Sequence, residues 1–154
     1  MRCLGSERAL EGDYTSALKY LTKSATLGDA GAHYQLSVMY HEWCGVERDE
    51  EKKVYHLEEA AIAGDPSARY ILGNHEMRNG RIDRAVKHWI IAANLGDEDS
   101  IQRLKQCYAD GKVSKEEFAA ALRAHHDAVE ATKKATKSPQ REAAERSGFF
   151  REDL

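Results

Sequence analysis

Apolar and polar positions along the chain return in the same order every 32 to 36 residues. Leu4, Leu36, Leu72 and Leu104 are separated by 32, 36 and 32 residues, and Gly28, Gly64 and Gly96 by 36 and 32. Each of these glycines is followed by an aspartate (Asp29, Asp65, Asp97) and preceded three residues earlier by an alanine (Ala25, Ala61, Ala93). A fixed period of this size marks a stack of supersecondary units, each burying its apolar face against the next, rather than one globular core.

Within a unit the apolar period is helical. Ala32, Leu36 and Tyr40 lie four residues apart and so share one stripe. Gly45-Val46-Glu47-Arg48-Asp49 interrupts that helix, and a second helix follows with Val54, Leu57 and Ala61 facing inward. Gly64 predicts a left-handed C-terminal cap, Asp65 an N-cap, and Pro66 the first turn of the next helix, where a missing N–H costs nothing. The next unit carries Ala68, Leu72 and Gly73 before an Asn79-Gly80 turn, and Ala85, Val86, Trp89, Ala92 and Ala93 after it. It is four residues shorter because the turn lacks the Gly-Val-x-x-Asp insert.

The N-terminal segment repeats this shorter unit at a constant offset of 68: Leu4 with Leu72, Gly5 with Gly73, Gly12 with Gly80, Ala17 with Ala85, Gly28 with Gly96. In that register Met1 falls inside a first helix, and a helix without its first turn loses its cap. Either the sequence starts late or the repeat is natively incomplete, and the expectation is that a longer protein once lay, or still lies, upstream. At the other end Ser100, Leu104 and Tyr108 keep the first-helix stripe, and Asp110-Gly111 makes the turn. Ser114-Lys115-Glu116-Glu117 reads as a capping box. It opens a long helix over Lys115 to Thr136, with Phe118, Leu122, His125 and Val129 on one stripe and Lys133 and Lys134 suiting its C-terminal dipole.

The expected organisation is an incomplete repeat at 1–29, repeats at 30–65 and 66–97, a degenerate repeat with a capping helix at 98–137, and a tail at 138–154. The tail is either a short helix from Ser138-Pro139 or frayed. The fold class is all-α, a right-handed α-solenoid of helix-turn-helix repeats closed by a long C-terminal capping helix.

Composition narrows the function more than the fold. The chain has 154 residues, 42% hydrophobic and 32% charged, with a net charge of −3. That balance argues against a nucleic-acid footprint, which needs a basic face. No apolar run approaches the roughly 18–20 residues of a membrane span, and the N-terminal residues have no apolar signal-peptide centre. Cys3, Cys44 and Cys107 form neither a disulfide framework nor a C-x-x-C pair. A reducing, cytoplasmic setting is the simplest expectation.

Ala32-x-x-x-Leu36-x-x-x-Tyr40, Gly45-Val46-x-x-Asp49-x-x-Lys52 and Glu59-Ala60-Ala61-x-x-Gly64 together resemble the Sel-one-like repeat, a variant of the tetratricopeptide helix-turn-helix unit. The resemblance covers roughly residues 4 to 130. The chain departs from the pattern at Trp43, which replaces the first glycine of the turn, at Ser37 and Lys105, which replace the glycine of the Leu-Gly pair, and at Glu76, which replaces the helix tyrosine. Trp43 is either an exposed anchor or a packed plug.

The resemblance implies that the first helix of each unit lines a concave face. By register that face presents Tyr34, Gln35, Val38, His41 and Glu42, then Tyr70, Ile71, Asn74, Met77 and Arg78, then Gln102, Arg103 and Gln106. Amides can bond an extended backbone, and tyrosine and arginine are common anchors, so this ladder suits a peptide groove. The competing reading is a solvated face that binds nothing in particular.

Other constellations carry less. Trp89 occupies the position of Leu21 and Leu57 and reads as core. His56 and His88 hold equal positions in successive units, with Tyr20 before them, but two histidines are half of a typical zinc site. They read as partly buried rings between helices. His41-x-x-Cys44 has no second pair, His125-His126 reads as solvated, and Cys107 reads as packed. There is no G-x-S-x-G, no phosphate loop and no H-E-x-x-H. The reading is a non-catalytic scaffold or adaptor for a protein or peptide, with no cofactor, no metal, no nucleic acid and no membrane. A regulatory appendage of a larger multidomain protein, of ubiquitin-ligase or signalling type, and a hydrolase remain as alternatives.

Overall fold

A computed structural model describes residues 11–42 and 46–136, without the side chains of Glu11 and Gly12. The expectations attached to Leu4, Gly5, Trp43, Cys44 and the 138–154 tail lie outside these residues.

Seven α-helices and no strand make up the described chain: α1 Glu11–Thr26, α2 Ala30–Glu42, α3 Glu50–Ile62, α4 Pro66–Arg78, α5 Ile82–Asn94, α6 Glu98–Ala109 and α7 Lys115–Thr136. Each of the first six packs chiefly on its neighbour in sequence, and α7 covers both α5 and α6. Contacts therefore run locally along the array, as in a solenoid.

The helix boundaries follow from local chemistry. Gly64 adopts φ +95°, which a glycine reaches without a Cβ penalty. Its N–H donates to the Ala61 carbonyl at 3.1 Å, and Asp65 N–H donates to the Ala60 carbonyl at 3.0 Å. These are the paired bonds of a Schellman cap. The Asp65 carboxylate then accepts from Ala68 N–H at 2.9 Å and caps α4, with Pro66 in its first turn. One dipeptide closes a helix and opens the next. The same arrangement recurs at Gly96-Asp97, where Asp97 accepts from Ser100 N–H at 2.8 Å. Before α7 the capping box is reciprocal: Glu117 N–H donates to Ser114 Oγ, and Ser114 N–H to Glu117 Oε2, each at 3.1 Å.

The core falls into three segments. Ala25, Ala32, Leu36 and Met39 join α1 to α2. Leu57, Ala60, Ala61, Ala68 and Leu72 join α3 to α4. Trp89, Ile101, Leu104, Cys107 and Ala121 centre a third cluster, over which Tyr70, Met77 and Phe118 pack.

Two expectations about α7 are corrected. His125 is buried rather than solvated, at 8% exposure, with Nε2 3.4 Å from Glu98 Oε2 on α6. Leu122 is 46% exposed, and Ala121 is buried in its place. The packed line is Ala121 and His125, both buried, with Phe118 partly buried, and its three- and four-residue steps suit a helix lying on two others at once.

Candidate functional site

The second helices hold the first helices at their backs, which leaves a groove of about 510 Å³ across the array. From α2 it takes Tyr34, Ser37, Val38, His41 and Glu42, from α4 Ile71, Asn74, Met77 and Arg78, and from α6 Arg103. Lys53 and Leu57 of α3 and Trp89 of α5 complete the lining.

Of the residues expected at this face, Tyr34, Val38, His41, Glu42, Ile71, Asn74, Met77, Arg78 and Arg103 line the groove. Gln35, Tyr70, Gln102 and Gln106 do not. Gln35 is turned about 100° from Tyr34 around the helix axis. Tyr70 packs against the Trp89 cluster. Gln102 and Gln106 bond along their own helix, donating to Glu98 at 3.0 Å and Asp110 at 3.1 Å.

The lining from the second helices was not singled out from the sequence. Leu57 and Trp89 reach the groove, Trp89 beside Gly73, whose register position one unit earlier is Ser37. Trp89 lies against Gly73: a Cβ there would stand 2.4 Å from its indole nitrogen. That nitrogen is buried with no hydrogen-bond partner among the described residues. Lys53 is buried, and its ammonium donates to Glu50 Oε1 at 3.1 Å. Nothing in sequence separates it from a solvated lysine.

His41 at the rim titrates below its ordinary value. Burial of the ring is the main cause, and Lys53 and Arg48 add to it against Glu50 and Glu42. Away from the groove, Glu76 is buried and held by Arg81, with Arg84 at 3.6 Å. The Arg81 hydrogen bond keeps its carboxyl below the usual range.

His56 and His88 are half-buried between helices, whereas Tyr20 is 70% exposed. His56 meets His33, and His88 meets Arg69 at 3.5 Å. His33 and Arg69 are themselves 36 residues apart, so the same contact recurs in successive units. Among the described residues no group of three or more His, Cys, Asp or Glu side chains is arranged to hold a metal ion. Nor is any helix there long and apolar enough to cross a membrane.

Sequential helix packing, Gly-Asp boundaries and a groove across alternate helices define an all-helical repeat solenoid, the fold of a solved Sel1 repeat protein. The structure resembles a Sel1 repeat protein from Oxalobacter formigenes, with a TM-score of 0.60 and 24% identity, over 71% of this chain and 48% of that one. In sequence it is 26% identical over 166 residues to the DAP3-binding cell death enhancer 1 of Mus musculus, which covers 82% of this chain. The chain spans about a third of that curated relative, 32% of its length. No family model matches the chain.

Proposed function

We propose that the chain is a non-catalytic protein-interaction scaffold that docks a peptide or domain on the concave face of its array, with repeats at 30–65 and 66–97. The observation that carries this reading is the groove itself, to which three successive first helices contribute anchoring side chains over an apolar floor. Tyr34 and Arg78 would anchor a partner, and the Asn74 amide would bond its backbone. The mouse relative is named for binding DAP3. Protein binding is the property carried across from it, not the identity of the partner.

The test is capture from lysate with the full chain beside a Tyr34→Ala/Asn74→Ala/Arg78→Ala variant, with circular dichroism to establish that both are folded. Partners held by the parent and lost from the variant support the groove. Capture that is the same with both proteins sinks it.

A further inference from the structure

The groove is basic in a chain that is acidic overall. The chain carries 23 Lys and Arg against 26 Asp and Glu, yet the groove is lined by Lys53, Arg78 and Arg103 against the single carboxylate Glu42. The cations differ in one respect. Lys53 has Glu50, and outside the groove Arg81 and Arg84 share Glu76. Arg78 and Arg103 have no hydrogen-bonding or ion-pair partner among the described residues. They belong to α4 and α6 and border a floor of Leu57, Ile71, Met77 and Trp89.

Resting on the scaffold reading above, we propose that the occupant of this groove is an acidic segment of a partner protein, with apolar side chains on the Leu57–Trp89 floor and carboxylates on Arg78 and Arg103. A guanidinium presents a planar fork that matches a carboxylate, and such charge-assisted pairs are stronger than neutral hydrogen bonds. A neutral peptide would bury the floor equally well but leave both forks facing only water. Charge is therefore what selects the partner.

The experiment is selection of a phage-displayed random peptide library on the full chain, followed by binding of a fluorescein-labelled selected peptide by anisotropy. The expected selection is peptides that place Glu or Asp beside apolar residues. Their affinity falls as salt rises, and falls about tenfold or more in an Arg78→Gln/Arg103→Gln variant. Both arginines are exposed, so this variant keeps the fold, which circular dichroism checks. Peptides enriched without acidic residues, or acidic peptides indifferent to the double substitution, overturn the acidic assignment and leave the scaffold reading standing. If no peptide is enriched at all, the groove reading falls with it. Acidic peptides selected only after Glu152→Gln/Asp153→Gln assign the groove to the chain's own tail and overturn a partner protein as occupant. A concentration-dependent dimer lost in the arginine variant overturns it in favour of a second copy.

Discussion

His33 and His56 meet nitrogen to nitrogen, with their Nδ1 atoms 2.9 Å apart. The Ala25 carbonyl oxygen accepts from His33 Nε2 at 3.0 Å, which places a proton on that nitrogen. With both rings neutral, His33 Nδ1 has only its lone pair, so His56 Nδ1–H donates to it. Two protonated rings would leave no acceptor and set two charges against each other. Tyr40 stacks on His56 at 5.7 Å between ring centres, and Tyr55 meets it edge-on at 5.1 Å; His33 is buried and His56 half-buried.

This contact makes folding acid-sensitive. Burial, then the neighbouring His33, holds His56 below its ordinary 6.5, with Glu59 pulling it up and Lys52 down. For a base lowered in the folded state, the unfolded chain takes up the proton first as pH falls. The stabilisation is complete above about pH 6.5 and shrinks as pH drops below that value. Thermal unfolding followed by circular dichroism between about pH 5 and 8 should show the melting temperature falling below pH 6.5. His56→Gln should flatten the slope, leaving the part due to His88, which burial and Arg69 lower, and to His41, which burial, Lys53 and Arg48 lower. An unchanged slope would place the acid sensitivity elsewhere.

Gly73 and Trp89 form a matched pair, since a Cβ at 73 would stand 2.4 Å from the indole nitrogen. Gly73→Ala should destabilise by about 1–3 kcal/mol, the usual range for overpacking a core. One unit earlier the same two positions hold Ser37 and Leu57, a larger first residue facing a smaller second one. Trp89→Leu should therefore recover most of the loss caused by Gly73→Ser. Denaturant unfolding of the two single variants and the double variant gives the coupling directly. Additive losses would mean that the indole moves aside without cost.

The stack is legible in the sequence because its signals are local: Gly64 and Asp65 specify a cap between themselves, and Ser114 and Glu117 close a box three residues apart. The groove is half legible. Tyr34, Val38, Asn74 and Arg78 follow from helical register, but Lys53, Leu57 and Trp89 depend on what the facing helix leaves open. Leu122 fails for a related reason. The stripe through Phe118, Leu122 and His125 fits the period of an isolated helix, but α7 rests on α5 and α6 together, and that double contact keeps His125 and takes Ala121 in place of Leu122. Tertiary packing chooses among faces that periodicity alone cannot rank.

Cys107 sits in the third core cluster, where burial pushes its thiol above the ordinary value. The thiolate is the reactive form, so this cysteine should be inert in the folded protein at neutral pH. Peptide mass spectrometry after brief iodoacetamide treatment should find Cys107 unmodified under native conditions and fully modified in denaturant. Rapid native modification would show that the third cluster opens.

The Gly-Asp boundaries should contribute about equally wherever they recur. Asp65→Ala removes the acceptor of Ala68 N–H and should cost about 1 kcal/mol. Gly64→Ala forces a Cβ into φ +95° and should cost about 1 kcal/mol more. Nothing lies within 4 Å of a Cβ at Gly64, so the loss there is purely conformational. At Gly96 a Cβ would touch Ala128 and Val129 at 3.9 and 4.0 Å, ordinary contact distances that add no clash. Gly96→Ala should therefore match Gly64→Ala in denaturant unfolding. A much larger cost at 96 would mean that α7 lies closer to this boundary in solution and that the capping helix, more than the cap itself, holds the end of the array.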